Sequence, residues 1–173
     1  MKNLKFSRLF AAFAFVAVLV LSGCVQPVDS SAADVQPVDS SAADSLIGTW
    51  VNASSYGNSY YKITESTFEN YGDDYESYAG NTLTIVAADE SSGTIFFKYT
   101  RAADANWNYT TDASLAPDIG KWYAVSYKDL TDTSVLLSGA YGTKSSCDTL
   151  EEAKTEFTVA NGYFGIYSEC VKQ

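Results

Sequence analysis

Histidine is absent from the 173 residues of this chain. Without it, neither a Ser-His-Asp nor a Cys-His catalytic arrangement can form, and no metal ion can be held by imidazole. The chain also lacks a recognisable nucleophile motif. We therefore expect that it is not an enzyme and that it carries no cofactor and no metal ion.

Long hydrophobic runs are also scarce. One clear run, Leu9–Leu21, has about 13 residues and follows Lys2, Lys5 and Arg8. A membrane-spanning helix needs about 20 apolar residues, whereas a basic segment followed by a short apolar run is typical of a secretory signal. We interpret residues 1–23 as a signal peptide, and an uncleaved membrane anchor is the alternative.

The apolar run ends in Leu21-Ser22-Gly23-Cys24, which resembles the lipobox of bacterial lipoproteins at all four positions. The resemblance implies cleavage before Cys24 and a diacylglycerol on its thiol, so that a membrane is the first expected partner. Several acyl chains on one cysteine anchor far more firmly than one chain. Val25 follows the cysteine, as in lipoproteins released to the outer membrane. We expect a cell-envelope location, at the outer membrane or cell surface rather than the inner membrane.

A perfect repeat follows the lipobox. Residues 25–34 and residues 35–44 both read VQPVDSSAAD. The unit is shorter than the repeats of solenoid proteins, and its Pro, Ser, Ala and Asp content cannot bury a core. We predict a lipidated N-terminus with a disordered tether over residues 24–45, followed by a single domain over residues 46–173. A peptide ligand for a partner protein is the other interpretation of the repeat.

Basic residues are few, and three of the 11 leave with the signal peptide. All 21 acidic residues lie in the mature part, which therefore has a net charge of −13. Such an acidic chain repels the phosphates of nucleic acids and of anionic lipids. We expect no nucleic-acid partner.

Cysteine is also rare, since only Cys147 and Cys170 remain once Cys24 is lipidated. Exported proteins meet an oxidising compartment, in which paired cysteines form disulfides. We predict a Cys147–Cys170 disulfide. The alternative, a two-thiol metal site, has no further soft ligands in the sequence.

Short runs of Tyr, Phe, Val, Ile, Thr and Trp alternate with Gly, Asn, Asp and Ser over the rest of the chain. This pattern predicts short strands joined by turns. In the clearest run, Ile95, Phe97 and Tyr99 fall on one face. We count about eight strands: Ile47–Ser54, Tyr60–Thr64, Thr67–Tyr71, Thr82–Ala87, Thr94–Arg101, Lys121–Lys128, Ser134–Tyr141 and Tyr163–Cys170.

Two segments depart from the strand pattern. A helix of two to three turns is predicted, with an N-cap at Asp148 or Thr149 and a stop at Asn161-Gly162. Residues 102–119 form a long polar connection that carries Trp107 and Tyr109. Because such long connections are uncommon in compact domains, we consider Trp107 and Tyr109 candidate ligand-loop residues. An ordinary solvated loop with one anchoring aromatic residue is the alternative.

Gly48-Thr49-Trp50 stands at the start of the first predicted strand, and Thr131-Asp132 stands in the turn before the seventh. Both resemble motifs of the lipocalin and calycin group, which are antiparallel up-and-down β-barrels of eight strands. The resemblance implies that Trp50 closes the base of the barrel, although a tryptophan in an ordinary core is also possible. The family's arginine near the C-terminus has no match, and the tail offers Lys172 instead.

These observations leave two functions open for a mainly β, lipocalin-like barrel with one short helix near its C-terminus. The first is a membrane-anchored barrel that holds a small apolar or amphipathic ligand. The second is a filled barrel that acts as a surface or structural module for protein–protein interaction, with an envelope protein as partner. An internal cavity would separate them. The six tyrosines between residues 56 and 78 fit a pocket, a partner surface or cross-strand pairs.

Overall fold

The computed structural model describes residues 40–173, and its side chains are described from Ala43 onward. The predicted signal peptide, Cys24 and most of the repeat lie outside this range. The helices are α1 (Ser40–Leu46) and α2 (Leu150–Glu156). The strands are β1 (Gly48–Ser54), β2 (Gly57–Ile63), β3 (Thr67–Gly72), β4 (Glu76–Ala87), β5 (Gly93–Ala103), β6 (Tyr109–Thr110), β7 (Trp122–Lys128), β8 (Ser134–Gly139) and β9 (Ser168–Lys172).

The sheet closes on itself. Each strand from β1 to β5 pairs antiparallel with the next, β5 pairs with β7, and β7, β8 and β9 follow in order. The last strand returns to the first, because β9 pairs with β1. The short β6 adds to the far end of β5. The prediction of a mainly β, up-and-down barrel of eight antiparallel strands, with one short helix near the C-terminus, is confirmed.

Eight predicted runs correspond to the eight barrel strands, with two clear differences. Strand β4 begins at Glu76, six residues before its predicted start, because an irregularity between Asn81 and Thr84 hides its first half. Thr82 has a φ of 58° there, a conformation that interrupts the alternating pattern. Strand β9 begins at Ser168 rather than at Tyr163.

Stacked aromatic rings fill the middle of the barrel. Phe68 of β3 and Phe97 of β5 lie with ring centroids 4.7 Å apart and planes 10° from parallel. Tyr78 of β4 is nearly parallel to both rings, with its centroid 5.9 Å from that of Phe68 and 6.3 Å from that of Phe97. Phe68 and Phe97 are both fully buried. Aromatic rings thus occupy the volume that a ligand would need at this level.

Glycines on the barrel wall make room for these rings. A Cβ on Gly80 of β4 would overlap the Phe97 ring, and a Cβ on Gly139 of β8 would lie 2.7 Å from the Tyr123 hydroxyl. Glycine inside a strand often marks such a close approach. At both positions, a glycine in the wall of the barrel therefore faces a large aromatic side chain in the interior.

One end of the barrel is closed around Trp50. The Trp50 side chain is fully buried, and its indole N–H donates to the Leu46 carbonyl at 2.8 Å. The Lys172 ammonium lies 5.0 Å from the centre of the Trp50 ring and donates to the Ser45 carbonyl at 2.9 Å. Lysine over an aromatic face is a favourable cation–π arrangement. Lys172 of β9 therefore packs over the Trp50 ring at this end of the barrel.

Helix α1 includes the last residues of the predicted tether, which extends to residue 45. The end of the second repeat copy and Ser45 are helical, up to Leu46. A helix of seven residues has little stability by itself. The fully buried Leu46 side chain and the Trp50 hydrogen bond attach this helix to the closed end of the barrel.

The predicted disulfide is wrong. Cys147 and Cys170 are both free and buried. Cys147 exchanges two backbone hydrogen bonds with Trp122 at the start of β7, whereas Cys170 pairs with Val135 near the strand end that lies beside Lys128. Six residues of strand separate these levels, roughly 20 Å, and a disulfide needs Cα atoms within about 7 Å.

Helix α2 has seven residues, about two turns, which agrees with the predicted length of two to three turns. Thr149 is its N-cap and accepts a hydrogen bond from the Glu152 backbone N–H. The helix ends at Glu156, and the Asn161 side chain donates to the carbonyls of Thr155 and Glu156. The predicted stop signal thus acts through a side-chain cap. No helix within residues 40–173 is long and apolar enough to cross a membrane.

Replacing Phe97 with alanine tests the aromatic filling. Phe97→Ala removes the central ring, and we expect the free energy of unfolding to fall by about 3–5 kcal/mol, as for other buried phenylalanines. Urea unfolding at neutral pH measures this change. Tyr56→Ala is the control, since Tyr56 is fully exposed and its loss should change stability by less than about 0.5 kcal/mol. A loss below about 1 kcal/mol for Phe97→Ala would show that the ring does not support the barrel.

Candidate functional site

A cavity of about 490 Å³ opens at the end of the barrel opposite Trp50. Its floor consists of interior tyrosines, and its walls come from the loop after β5 and from the segment after β8. We call it the mouth cavity. Its aromatic lining residues are Tyr78, Tyr99, Trp107, Tyr109, Tyr123 and Tyr141, and its charged ones are Asp104, Asp118 and Lys144.

Three strands supply the tyrosines of the floor. Tyr99 of β5 stacks on Tyr123 of β7 with ring centroids 4.8 Å apart. Tyr78 of β4 meets Tyr123 edge-on at 5.3 Å. The Tyr123 hydroxyl donates to the Ala140 carbonyl at 2.9 Å, which fixes the central ring. These rings continue the stack that fills the barrel, and the mouth cavity begins where the stack ends.

Residues 104–108 form a tight turn that presents Trp107. The Asp104 carboxylate accepts hydrogen bonds from the backbone N–H groups of Asn106 and Asn108 at 2.7 and 2.9 Å. Trp107 has a φ of 65° at the tip of this turn, and its side chain is 78% exposed. Tyr109 of β6 then pairs with Ala103 of β5, and this pairing attaches the turn to the barrel wall. A large apolar side chain is therefore held out over the cavity.

The second half of the loop is also held by hydrogen bonds. The Asp112 carboxylate accepts from the backbone N–H and the hydroxyl of Ser114, and the Asp112 carbonyl accepts from the Ala116 N–H. Ala116 is fully buried, so a small residue anchors this loop rather than Trp107. Gly120 N–H donates to the Tyr99 carbonyl, which returns the chain to β5.

Both predicted ligand-loop residues, Trp107 and Tyr109, line the mouth cavity. The sequence pattern does not mark Tyr99 and Tyr123 as site residues, and for Tyr78 it leaves a pocket, a partner surface and a cross-strand pair open. Only their places at the mouth ends of their strands could have singled them out. Strand position along a barrel depends on register, which the sequence pattern alone does not give.

Burial determines the charge state of the floor. Desolvation raises the pKa of Tyr78 and of Tyr99 well above the ordinary tyrosine value of 10.0, and it also raises the pKa of Tyr123. Neighbouring tyrosines add to the pKa shifts of Tyr78 and Tyr99, and the Asp118 carboxylate contributes at Tyr99. All three phenols therefore stay neutral at physiological pH.

A wider depression of about 670 Å³ lies on the outer wall, where β1 and β9 pair over only two residue positions. Its single aromatic residue, Tyr167, is already engaged. The Lys128 ammonium lies 4.2 Å from the centre of the Tyr167 ring, and the Tyr167 hydroxyl lies 3.1 Å from that of Ser126. We therefore consider the mouth cavity the better candidate despite its smaller volume.

The acidic segment Asp73-Asp74-x-Glu76 does not form a cluster. Asp73 accepts from the Tyr60 hydroxyl at 2.8 Å, and Glu76 pairs with Arg101 at 3.2 Å. In the part of the chain that the structure covers, no three carboxylate or thiol groups are placed to hold a metal ion. These side chains link neighbouring strands instead.

Four of the six tyrosines between residues 56 and 78 have two different roles, and the other two, Tyr56 and Tyr75, are exposed. Tyr60 and Tyr71 are directly opposite each other on β2 and β3 and stack on the outer surface at 5.0 Å. They form a cross-strand pair that stabilises the sheet. Tyr61 and Tyr78 instead belong to the barrel core, where Tyr61 meets Phe68 edge-on at 6.2 Å.

Comparisons with protein-family models, with curated proteins and with solved structures give no match for this chain. The site must therefore be interpreted from its own residues.

Alkaline pH should destabilise the fold. Burial raises the pKa of Cys170 to about 12 from 9.0, and the floor tyrosines are raised above 10.0. Because the unfolded chain ionises first, stability is fully present below about pH 9 and falls as the pH rises towards 12. We expect a fall of more than about 1 kcal/mol per pH unit above pH 10, measured by urea unfolding.

Two variants separate this effect from general alkaline damage. Tyr78→Phe removes one buried phenol, so its stability should depend less steeply on pH. Tyr56→Phe removes a fully exposed phenol and should retain the wild-type slope. If all three proteins keep constant stability from pH 8 to 11, the tyrosines of the floor are not desolvated.

Proposed function

We propose that this chain is a membrane-anchored lipoprotein whose lipocalin-like barrel binds a small apolar or amphipathic ligand. The ligand lies at the mouth of the barrel, above Tyr78, Tyr99 and Tyr123, and not in a deep central cavity. The stacked rings below these residues occupy the barrel centre. The protein acts by binding and carries out no reaction.

The observation that carries this proposal is the concentration of exposed apolar side chains around one cavity. Trp107 and Tyr141 are 78% and 81% exposed, and Leu115 and Tyr109 are exposed beside them. All four line the mouth cavity. Burying apolar surface is worth about 25 cal/mol per Å², so a folded protein gains from covering such a group.

The volume and chemistry of the cavity favour a small molecule. About 490 Å³ lies in the range of ordinary ligand pockets. The phenols of the floor are neutral, so they offer aromatic faces for stacking and hydroxyl groups for hydrogen bonds. A ligand with an apolar body and a polar end would use both.

The closed end supports the lipocalin-like assignment. Trp50 of the Gly48-Thr49-Trp50 motif is fully buried at the start of β1, and Lys172 lies over its ring. This is the place where that family has a conserved structural role for tryptophan and a cation. The eight-stranded closure with β9 returning to β1 is compatible with the same group.

The anchor is supported by the sequence around Cys24. The run Leu9–Leu21, the lipobox and the following repeat suit a cleaved, lipidated N-terminus with a tether. The barrel would then be held near the outer membrane or cell surface. Its α1 helix at Ser40–Leu46 places the chain entry at the end of the barrel that Trp50 closes, opposite the mouth cavity.

A second candidate function is a surface for an envelope protein, and the filled barrel favours it. An extended peptide could cover Trp107 and Tyr141 from outside, as aromatic residues often anchor protein interfaces. A co-purifying polypeptide in place of a small molecule would support this alternative.

Native mass spectrometry of the chain purified from the membrane fraction tests ligand binding. We expect an added small-molecule mass that is released on denaturation. The Trp107→Ala variant should lose most of this added mass, because it lacks the side chain that covers the cavity. Because Trp107 is exposed, its replacement should change the stability of the fold only slightly. The left-handed backbone conformation at this position costs about the same for alanine as for tryptophan.

Tyr56→Ala is the matched control, since Tyr56 is exposed and does not line the mouth cavity. It should retain the added mass at the wild-type level. An added mass that persists in Trp107→Ala would place the ligand elsewhere. Absence of any added mass, together with no binding of an amphipathic fluorescent probe, would reject the small-molecule function.

Radiolabelled palmitate tests the anchor. Wild-type chain should incorporate the label and sediment with membranes, whereas Cys24→Ser should do neither, because the thiol that takes the lipid is gone. Ser22→Ala keeps a small residue before the cleavage site and should behave as wild type. Equal membrane association of wild type and Cys24→Ser, without label in either, would overturn the lipoprotein assignment.

A further inference from the structure

The charged groups that line the mouth cavity are mainly negative. Asp104 and Asp118 line it, and Lys144 is the one cation among the described lining residues. Lys144 is already paired with Glu152 of α2. The local field that a ligand meets is therefore set by carboxylates.

Both carboxylates are held in place. Asp104 accepts two backbone N–H groups of its turn, and these hydrogen bonds lower its pKa, so it is ionised at neutral pH. Asp118 accepts from the Ser146 hydroxyl at 2.6 Å. Its charge also reaches the floor, because it raises the pKa of Tyr99. An anionic head group in this cavity would be repelled from both sides.

The aromatic rings of the mouth cavity also favour a cation over an anion. The face of an aromatic ring carries negative electrostatic potential and attracts cations, tryptophan most strongly. Trp50 lies under Lys172 at 5.0 Å and Trp122 under Lys98 at 5.4 Å. Among the described residues, Trp107 is the one tryptophan that has no lysine or arginine over its ring.

We propose that the mouth cavity selects organic cations, molecules with a quaternary or tertiary ammonium group on a small apolar body. The ammonium group lies against Trp107 and the floor tyrosines, with Asp104 and Asp118 around it. This inference rests on the proposed ligand-binding function and names the ligand class. A neutral sugar also stacks on aromatic rings and donates its hydroxyl groups to carboxylates, but it gains no charge–charge attraction from them.

Choline and its uncharged isostere, the alcohol in which carbon replaces the quaternary nitrogen, test this selectivity. Each is titrated by calorimetry into the full chain in a nonionic polyoxyethylene detergent. The two probes have nearly the same shape and differ in charge. We expect choline to bind about tenfold more tightly, in keeping with a partly desolvated cation–π site.

Two carboxylate variants locate the effect. Asp118→Asn keeps an acceptor for Ser146 and removes one charge, so it should reduce the preference for choline several-fold. Asp132→Asn is the control, because Asp132 is exposed in the turn between β7 and β8 and does not line the mouth cavity. It should leave the preference unchanged.

Two other outcomes of the titrations would overturn the preference for cations. If both probes bind equally, or the alcohol binds better, and Trp107→Ala removes binding of both, the cation preference is overturned and the mouth remains a small-molecule site. If neither probe binds at millimolar concentration, the cation inference is overturned as well. The mass of a co-purifying molecule then decides the proposed function independently.

Discussion

The Phe97 ring lies against Gly80 and is stacked on Phe68, and this contact determines where the barrel has free space. An eight-stranded barrel either encloses a ligand or is filled by its own side chains. Here glycine on one strand admits a large ring from another. The centre is filled, and the space left for a ligand lies above Tyr99 and Tyr123.

The closed end complements this filling. Strands β1 and β9 pair at only two positions, Trp50 with Lys172 and Val51 with Val171. The Trp50 indole, the Lys172 ammonium and helix α1 add hydrogen bonds and a cation–π contact at this narrow seam. The seam is thus stabilised by side chains where its backbone ladder is short. The buried Cys170 of β9 is free and packs near this seam as a small apolar residue.

Local patterns predicted much of the fold because strands and turns are encoded over a few residues. Eight strands, the helix N-cap at Thr149 and the burial of Trp50 follow from alternation, capping and one short motif. The first half of β4 was missed because Gly80 and Thr82 interrupt the alternation. The prediction of a disulfide was wrong because the distance between two cysteines depends on strand register, which separates Cys147 and Cys170 along the barrel.

The site was only half predictable for the same reason. Trp107 and Tyr109 stand out in a polar loop, whereas Tyr99 and Tyr123 look like any other strand residues. Their common feature is their level along the barrel, which only the closed sheet reveals. The most direct test of the account is a high-resolution crystal structure of the purified chain. We predict Phe68 and Phe97 stacked about 4.7 Å apart, with any bound molecule confined to the mouth cavity. Rings that are splayed apart around a molecule lying between Phe97 and Trp50 would contradict it.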